Sequence, residues 1–230
     1  MLTNLNINIQ KEVVAINQIK VVPDLLDLIC KTTGMGFAAI SRVTESNWVA
    51  CSTRDQINFG LLPGDELPIK TTFCKDVRET HQPVVINEVA TDTCYKAHPI
   101  PLKYGFQSYI SVPIFRRDGT FFGTLCAIDL KPAEIDTPEI RGMFNLYADL
   151  ISFHLEAVEE LERVSANLME ERKIAELRET FIAILGHDLR NPVSTTRMCA
   201  DILLKLSIDE TAIRQAEIIK ATTYRMQGLI

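Results

Sequence analysis

Residues 107–130, QSYISVPIFRRDGTFFGTLCAIDL, decide the fold of the first part of the chain. The runs Gln107–Phe115 and Thr120–Leu130 are rich in β-branched and aromatic residues, and Asp118-Gly119 lies between them. Asp-Gly between two such runs is a strong β-hairpin signal, because the tight turn needs residues that tolerate a positive φ. We therefore predict two long antiparallel strands joined by a short turn.

The segments that precede this hairpin extend it into a sheet. Gly36–Thr44 and Asn47–Thr53 are typical of a second hairpin, and Pro83–Ile86 of a short buried strand. Helices are predicted over Lys11–Val21, Pro23–Thr33 and Thr71–Thr80. The expected product is an α+β fold, with an antiparallel sheet of five or six strands and helices packed on one side of it.

The pattern changes near residue 135 and is helical from Thr137-Pro138-Glu139 onward. Apolar residues recur at steps of three and four, as in a coiled coil, in two registers that overlap between residues 168 and 185. A turn near Ser207–Thr211 and a last helix complete a helical hairpin. Because one hairpin has too little core to stand alone, we expect two copies to form a four-helix bundle in a homodimer.

Composition and charge limit the classes of partner. The 230 residues are 47% hydrophobic and 23% charged, which is ordinary for a globular protein. The net charge of -6 argues against nucleic acid or an anionic membrane as the main partner. No signal peptide and no membrane-spanning run is visible. Six irregularly spaced cysteines without a C-x-x-C pair favour a reduced, cytoplasmic protein.

The stretch with the clearest chemistry is His187-Asp188-Leu189-Arg190-Asn191-Pro192. On a helix whose seam contains Leu189, His187 faces away from that seam toward solvent. An exposed imidazole followed by a carboxylate is a candidate nucleophile beside its base. Asp188 would take the proton of one ring nitrogen, and the other nitrogen would attack phosphorus. Asn191, one turn later, would hydrogen-bond the phosphorylated ring or a water, and Pro192 should bend the helix just after the site.

This hexapeptide resembles the H-box of sensor histidine kinases. The resemblance implies that His187 receives phosphate from ATP and passes it to an aspartate of a response regulator. It also implies that Asp188 is the general base and that Asn191 serves the reverse, phosphatase reaction. No glycine-rich phosphate loop is visible in the sequence. We therefore expect this chain alone neither to bind ATP nor to phosphorylate itself, and to be an N-terminal fragment of a longer kinase with an ATP-binding domain.

Residues 8–157 resemble a GAF domain. The matching features are Gly36-Phe37-Ala38-Ala39, Ser108–Ile114 and Gly119–Ala127. The resemblance implies a small-molecule or chromophore pocket beside the sheet, or a module used only for dimerisation. The predicted organisation is a sensor domain over residues 1–157, a signalling helix over 150–180, and a dimerisation and phosphoacceptor domain over 174–230.

The ligand of this sensor domain is not defined by the sequence. The long connection Asn87–Phe106 is of a length that is often functional. Candidate pocket residues are Cys94, Tyr95, His98, Tyr104, Phe106 and Trp48. Some relatives attach a linear tetrapyrrole, a bilin, through a cysteine in this segment, but Tyr95 stands where a histidine usually follows that cysteine. Cys94, His98 and Cys74 are too scattered to indicate a metal, and none is predicted.

Two other functions remain open at this point. One is a stand-alone dimeric phosphotransfer or scaffold protein that is phosphorylated in trans. The other is a photoreceptor or redox sensor of the GAF type.

Overall fold

The computed structural model describes residues 4–206 and 209–228, which contain six α-helices and six strands. In chain order these are α1 (Asn4–Gln18), α2 (Val22–Thr33), β1 (Phe37–Val43), β2 (Asn47–Asp55), β3 (Glu66–Pro68), α3 (Cys74–Thr80), β4 (Val84–Ile86), α4 (Pro99–Tyr104), β5 (Ser108–Phe115), β6 (Phe121–Asp129), α5 (Pro138–Leu206) and α6 (Glu210–Gln227). The chain divides into two units between Glu162 and Arg163, and α5 runs through that boundary. Ser207, predicted in a turn, lies outside the described residues.

The six strands form one antiparallel sheet in the order β3-β2-β1-β6-β5-β4. The predicted β5–β6 hairpin is confirmed, with Val112 opposite Leu125. Its turn contains Gly119 at a φ of 82°, a conformation that residues with a Cβ rarely adopt. The strand pair β1 and β6 forms the centre of the sheet, so both are buried along most of their length.

Helices cover both faces of the sheet, and the prediction that they lie on one side was wrong. Along β6, Leu125 and Ala127 belong to a core shared with α1, α2 and the start of α5. Cys126 and Ile128 point to the other face and belong to a second core with residues of α3 and α4. Because both sets of alternating side chains are apolar or small, both faces must be shielded from water.

Two short elements were not predicted from the sequence. The strand β3 has three residues and pairs with Asn47–Val49 of β2. The helix α4 lies inside the predicted long connection, where His98 caps its start by accepting a hydrogen bond from the Ile100 N–H at 3.3 Å. The predicted helix at Thr71 begins as a 3₁₀ turn, and the α-helix α3 starts only at Cys74.

A cluster of charged side chains joins the first helix, the sheet and α5 within the first unit. Glu12 of α1 pairs with Arg42 of β1 and with Arg116, which follows β5, each at 2.7 Å. Arg116 also pairs with Glu159 of α5. Both guanidinium groups lie 5.2 Å from the ring centre of Phe122. The cluster therefore adds ion pairs between α1, the sheet and α5, which also pack against one another through the apolar core.

Replacing Arg116 tests how much this cluster stabilises the first unit. Because its charges are half-buried, we expect Arg116→Ala to lower the free energy of unfolding by about 2 kcal/mol. The exposed pair of Arg141 and Asp136 is the matched control, and Arg141→Ala should cost less than about 1 kcal/mol. Urea unfolding followed by the fluorescence of Trp48, the single tryptophan, measures both. Equal losses of unfolding free energy in the two variants would contradict a stabilising role for the charged cluster around Arg116.

In the second unit, α6 contacts the last part of α5. Lys220 pairs with Asp201 at 2.7 Å, and Arg197 donates a hydrogen bond to Gln227 at 2.9 Å. Asp209 caps the start of α6 by accepting from the Thr211 N–H at 3.1 Å. Among the helices of residues 4–206 and 209–228, none has the length and apolar character needed to span a bilayer.

Candidate functional site

A cavity of about 40 Å³ lies in the second core, between the sheet and helices α3 and α4. Phe37, Trp48 and Ile128 line it from the strands, and Phe73 and Ile100 from the helical side. Its walls are therefore mostly aromatic and aliphatic. A volume of this size holds about two or three water-sized molecules.

Phe73 is the centre of the aromatic wall. Its ring centre lies 5.0 Å from that of Tyr95, 4.8 Å from His98 and 5.3 Å from Tyr109. Phe106 stacks on Tyr109, with 5.6 Å between the ring centres. These contacts fix the aromatic rings against one another on this side of the cavity.

Of the six candidate pocket residues, three line the cavity, two pack outside its lining, and Cys94 lies at the surface. Trp48, Tyr104 and Phe106 line the cavity, and the Tyr104 hydroxyl lies 3.0 Å from the Thr71 hydroxyl across its edge. Tyr95 and His98 pack on Phe73 outside the lining, and the Nδ1 atom of His98 is engaged in capping α4. Burial, with the nearby carboxylates of Asp76 and Asp92, raises the pKa of Tyr95.

Cys94 does not line the cavity, contrary to the expectation from the sequence. The carboxylate of Asp92 accepts hydrogen bonds from the Cys94 N–H at 2.8 Å and the Tyr95 N–H at 3.0 Å, and this turn holds Cys94 at the surface. A ligand of drug size or larger needs a pocket of roughly 300 Å³ or more. The residues present therefore do not fit a bilin attached through Cys94.

A metal site at Cys94, His98 and Cys74 does not fit the structure either. Cys74 is buried beside Tyr109, whereas Cys94 is exposed. Over residues 4–206 and 209–228, no three His, Cys, Asp or Glu side chains come close enough together to hold an ion.

Sequence reasoning missed the polar groups of the cavity wall. Cys74, Tyr109 and Cys126 all line it, and the Cys74 sulfur lies 3.2 Å from the Thr124 hydroxyl. The available signal was strand alternation, which places Tyr109 and Ser111 on one face of β5. The same alternation places Thr124 and Cys126 on that face of β6, directly beside them. Polar side chains on a buried face are unusual enough to mark a site.

A second candidate site lies on α5. The side chains of His187 and Asp188 are 73% and 69% exposed, and His187 Nδ1 lies 3.3 Å from a carboxylate oxygen of Asp188. That contact engages Nδ1 of the imidazole ring. Asn191 is also exposed. Helix α5 continues through Pro192, which has no N–H for the Asp188 carbonyl, and the bend there stays a prediction.

Comparison with known proteins defines the family of the first unit. A family model described as "GAF domain" matches residues 19–155, which is more than half of the chain. The chain belongs to the GAF family. This confirms the resemblance seen in the strands β1, β5 and β6, and it identifies the cavity as lying in a GAF domain.

The GAF chain is similar to bacteriophytochromes. It is 31% identical over 100 residues to the bacteriophytochrome of Pseudomonas aeruginosa, covering 39% of this chain and 14% of that protein. Among solved structures, bacteriophytochrome RpBphP3 from R. palustris matches 74% of the chain with a TM-score of 0.52 and 16% identity, 41% of that chain being covered. Its chromophore-binding domain matches 66% with a TM-score of 0.51 and 14% identity, 62% being covered.

These likenesses support the fold of a GAF sensory domain. The chain spans about one seventh of the curated relative and less than two thirds of the two solved chains. Identities of 14% and 16% to the solved structures carry information on the fold alone.

Proposed function

We propose that this chain is the sensory and phosphoacceptor portion of a two-component sensor histidine kinase. Residues 1–157 would be the GAF sensor, 150–180 the signalling helix, and 174–230 the dimerisation and phosphoacceptor domain. The observation that carries the proposal is the hexapeptide that begins at His187, exposed on a long helix that starts within the GAF unit. The protein would work in the cytoplasm, where ATP and response regulators are found.

The chemistry follows from the contact between His187 and Asp188. The carboxylate holds the proton on Nδ1, which raises the electron density at Nε2 and orients it as the nucleophile. Nε2 would attack the γ-phosphorus of ATP held by the ATP-binding domain of the kinase. The phosphorus–nitrogen bond forms, the bond from the γ-phosphorus to the bridging oxygen breaks and ADP leaves, while the Nδ1 proton shifts toward Asp188. The phosphoryl group is then passed to a response-regulator aspartate. Asn191, one helical turn on, would orient the water of the phosphatase reaction.

Dimerisation is supported by the apolar side chains that α5 exposes. Between residues 161 and 189 large apolar side chains recur and lie at least 42% exposed in the single chain. They are Leu161, Val164, Leu168, Met169, Ile174, Leu177, Phe181, Ile182, Ile184, Leu185 and Leu189. A continuous surface of this kind is costly in water, and the repeat at steps of three and four fits a second copy of the same helix. Each pair of α5 and α6 would contribute one helical hairpin to a four-helix bundle.

Charges placed in this surface should prevent dimerisation. Leu177→Glu combined with Phe181→Glu puts two carboxylates where the helices would meet, and we expect the mass in sedimentation equilibrium to fall to that of one chain. Lys173→Glu changes the net charge by the same amount outside both predicted registers and should leave the dimer intact. A dimer that persists in the double variant, or dissociates in the control as well, would contradict this interface.

Phosphoryl transfer in trans tests the function directly. The full chain is incubated with radiolabelled ATP and a full-length two-component kinase, and the label retained by the chain is tested for stability. A phosphorus–nitrogen bond is lost in acid and survives alkali, so we expect acid-labile, alkali-stable label. Label that survives acid, as on serine or threonine, would contradict the proposal.

The sensory input would be a ligand of the GAF cavity. The similarity in fold to the chromophore-binding domain of a bacteriophytochrome supports a ligand site in this domain. The volume of about 40 Å³ and the position of Cys94 favour a small ligand over a bilin. Such a ligand would act on the kinase through α5, whose first part packs in the GAF core.

A further inference from the structure

Two thiols lie together in the wall of the GAF cavity. Cys74 is the first residue of α3, and Cys126 is in the middle of β6. Both line the cavity, each is only 2% exposed, and Cys126 lies on β6 directly opposite Ser111, whose hydroxyl is 4.0 Å from the Cys74 sulfur. The start of α3 and the central strand β6 therefore each place one cysteine in the wall of the same small cavity.

Hydroxyl groups surround the sulfur of Cys74. It lies 3.2 Å from the Thr124 hydroxyl, 3.5 Å from that of Tyr109 and 4.0 Å from that of Ser111. Burial raises the pKa of Cys74, but hydrogen bonds from Cys126 and these hydroxyls to the thiolate outweigh burial and lower the pKa below its ordinary value. The pKa of Cys126 is raised, first by its hydrogen bond to Cys74 and then by burial. Cys74 is thus the thiol of the pair that ionises first.

The other four cysteines have different surroundings. Burial raises the pKa of Cys30 to about 11 and that of Cys51 to about 12, and both belong to the core on the opposite face of the sheet. Cys94 and Cys199 are exposed free thiols. Among these six cysteines, Cys74 is the one whose sulfur is surrounded by hydroxyl groups, and it lines the same cavity as a second cysteine.

We propose that Cys74 and Cys126 are a peroxide-reactive dithiol, which hydrogen peroxide converts to a disulfide within the GAF cavity. The cavity admits about two or three water-sized molecules, which suits a molecule of two oxygen atoms. Cys74, Cys126 and Tyr109 all belong to its lining, and the Tyr109 hydroxyl lies 3.5 Å from the Cys74 sulfur. The thiolate is the reactive form of cysteine, and the hydroxyl ring stabilises it at Cys74.

The reaction balances in two steps. The Cys74 thiolate attacks one oxygen of hydrogen peroxide, so that a sulfur–oxygen bond forms, the oxygen–oxygen bond breaks, and hydroxide leaves and takes up the proton that Cys74 had lost. The Cys126 thiol then attacks the sulfenic sulfur of Cys74. The disulfide forms, the sulfur–oxygen bond breaks, and the second water leaves with the Cys126 proton. Two thiols lose two electrons, and one peroxide is reduced to two waters.

The disulfide would fix α3 to the central strand β6 and change the surroundings of Trp48, which lines the same cavity. As the sensory step it deepens the kinase proposal, but the bond itself requires nothing of His187. If phosphoryl transfer is not observed, the proposed disulfide is unaffected, and if the disulfide does not form, the proposed phosphoryl transfer is unaffected.

Thiol counting in the full chain tests the proposal. With Cys94→Ser and Cys199→Ser in place to remove the exposed thiols, four cysteines remain. After treatment with stoichiometric hydrogen peroxide and unfolding, the number of thiols that can be alkylated should fall from four to two. Peptide mapping without reductant should join Cys74 to Cys126, the fluorescence of Trp48 should shift, and dithiothreitol should reverse all three changes.

Variants separate this pair from general oxidation. Cys126→Ser should stop at a sulfenic acid on Cys74, trapped by dimedone, whereas Cys51→Ser should still form the disulfide. Peptide mapping of the chain with its natural cysteines needs no core variant, so a variant that fails to fold leaves the test intact. The proposal is overturned if Cys74 and Cys126 stay reduced under peroxide that fully oxidises Cys94, or if Cys74 is oxidised without a link to Cys126.

Discussion

We expect His187→Gln to abolish phosphorylation of this chain by a two-component kinase and ATP. Glutamine keeps the size and the polarity of the exposed side chain, so the helix is retained, but it has no ring nitrogen able to attack phosphorus. The expected loss is complete, because the other three histidines of the chain, His81, His98 and His154, all belong to the first unit. The measurement is radiolabel retained by the chain after alkaline electrophoresis.

His154→Gln is the matched control for this loss. His154 lies on the same helix, within the GAF unit, and should be dispensable for labelling. Asp188→Asn should slow labelling without removing it, because an amide cannot take the Nδ1 proton. Label retained in His187→Gln, or lost in His154→Gln, would be incompatible with the proposed phosphoacceptor.

Gly123→Ala has the largest expected effect on stability. Gly123 lies in β6 opposite Arg42 of β1 and Ile114 of β5. A Cβ atom there would lie 1.8 Å from the carbonyl oxygen of Ser41, which is backbone and cannot rotate away. The two central strands would have to separate or shift, and we expect a loss of at least about 3 kcal/mol in the free energy of unfolding.

Gly142→Ala is the control for this substitution. Gly142 lies in α5, where an added Cβ meets nothing within 4 Å, and alanine favours the helix by about 1 kcal/mol. Urea unfolding followed by Trp48 fluorescence should therefore show opposite signs for the two variants. A loss below about 1 kcal/mol for Gly123→Ala would mean that β1 and β6 are not packed as described.

The sequence predicted the paired strands of the sheet but not how its faces are covered. Turn residues such as Asp118-Gly119 act locally, so both hairpins could be recognised from short stretches. The run FFGTLCAID of β6 is apolar or small on both alternating sets of positions, which signals burial on both faces. Elements as short as β3 and α4 have no periodicity to detect, since their positions depend on tertiary contacts such as the pairing with Asn47–Val49.

The two candidate sites differ in how far sequence could define them. The site at His187 is one continuous stretch on a regular helix, so its direction relative to the predicted seam could be inferred from helical geometry. The cavity is built from side chains of distant segments, and Trp48, Tyr104 and Phe106 were recognised only as aromatic residues near a long connection. Cys94 was misplaced because the turn made by Asp92, rather than distance along the chain, decides on which side it lies. The contact of Cys74 with Cys126 depends on the packing of α3 on the sheet, which no local pattern reveals.

The most direct test of the central claim locates the phosphoryl group on the ring atom itself. The chain is labelled with ¹⁵N-histidine, phosphorylated by a two-component kinase and ATP, kept alkaline, and analysed by tandem mass spectrometry and by ³¹P–¹⁵N coupling. Since Asp188 engages Nδ1 at 3.3 Å, the account predicts phosphate on Nε2 of His187. Phosphate on another residue, or on Nδ1 of His187, would contradict it.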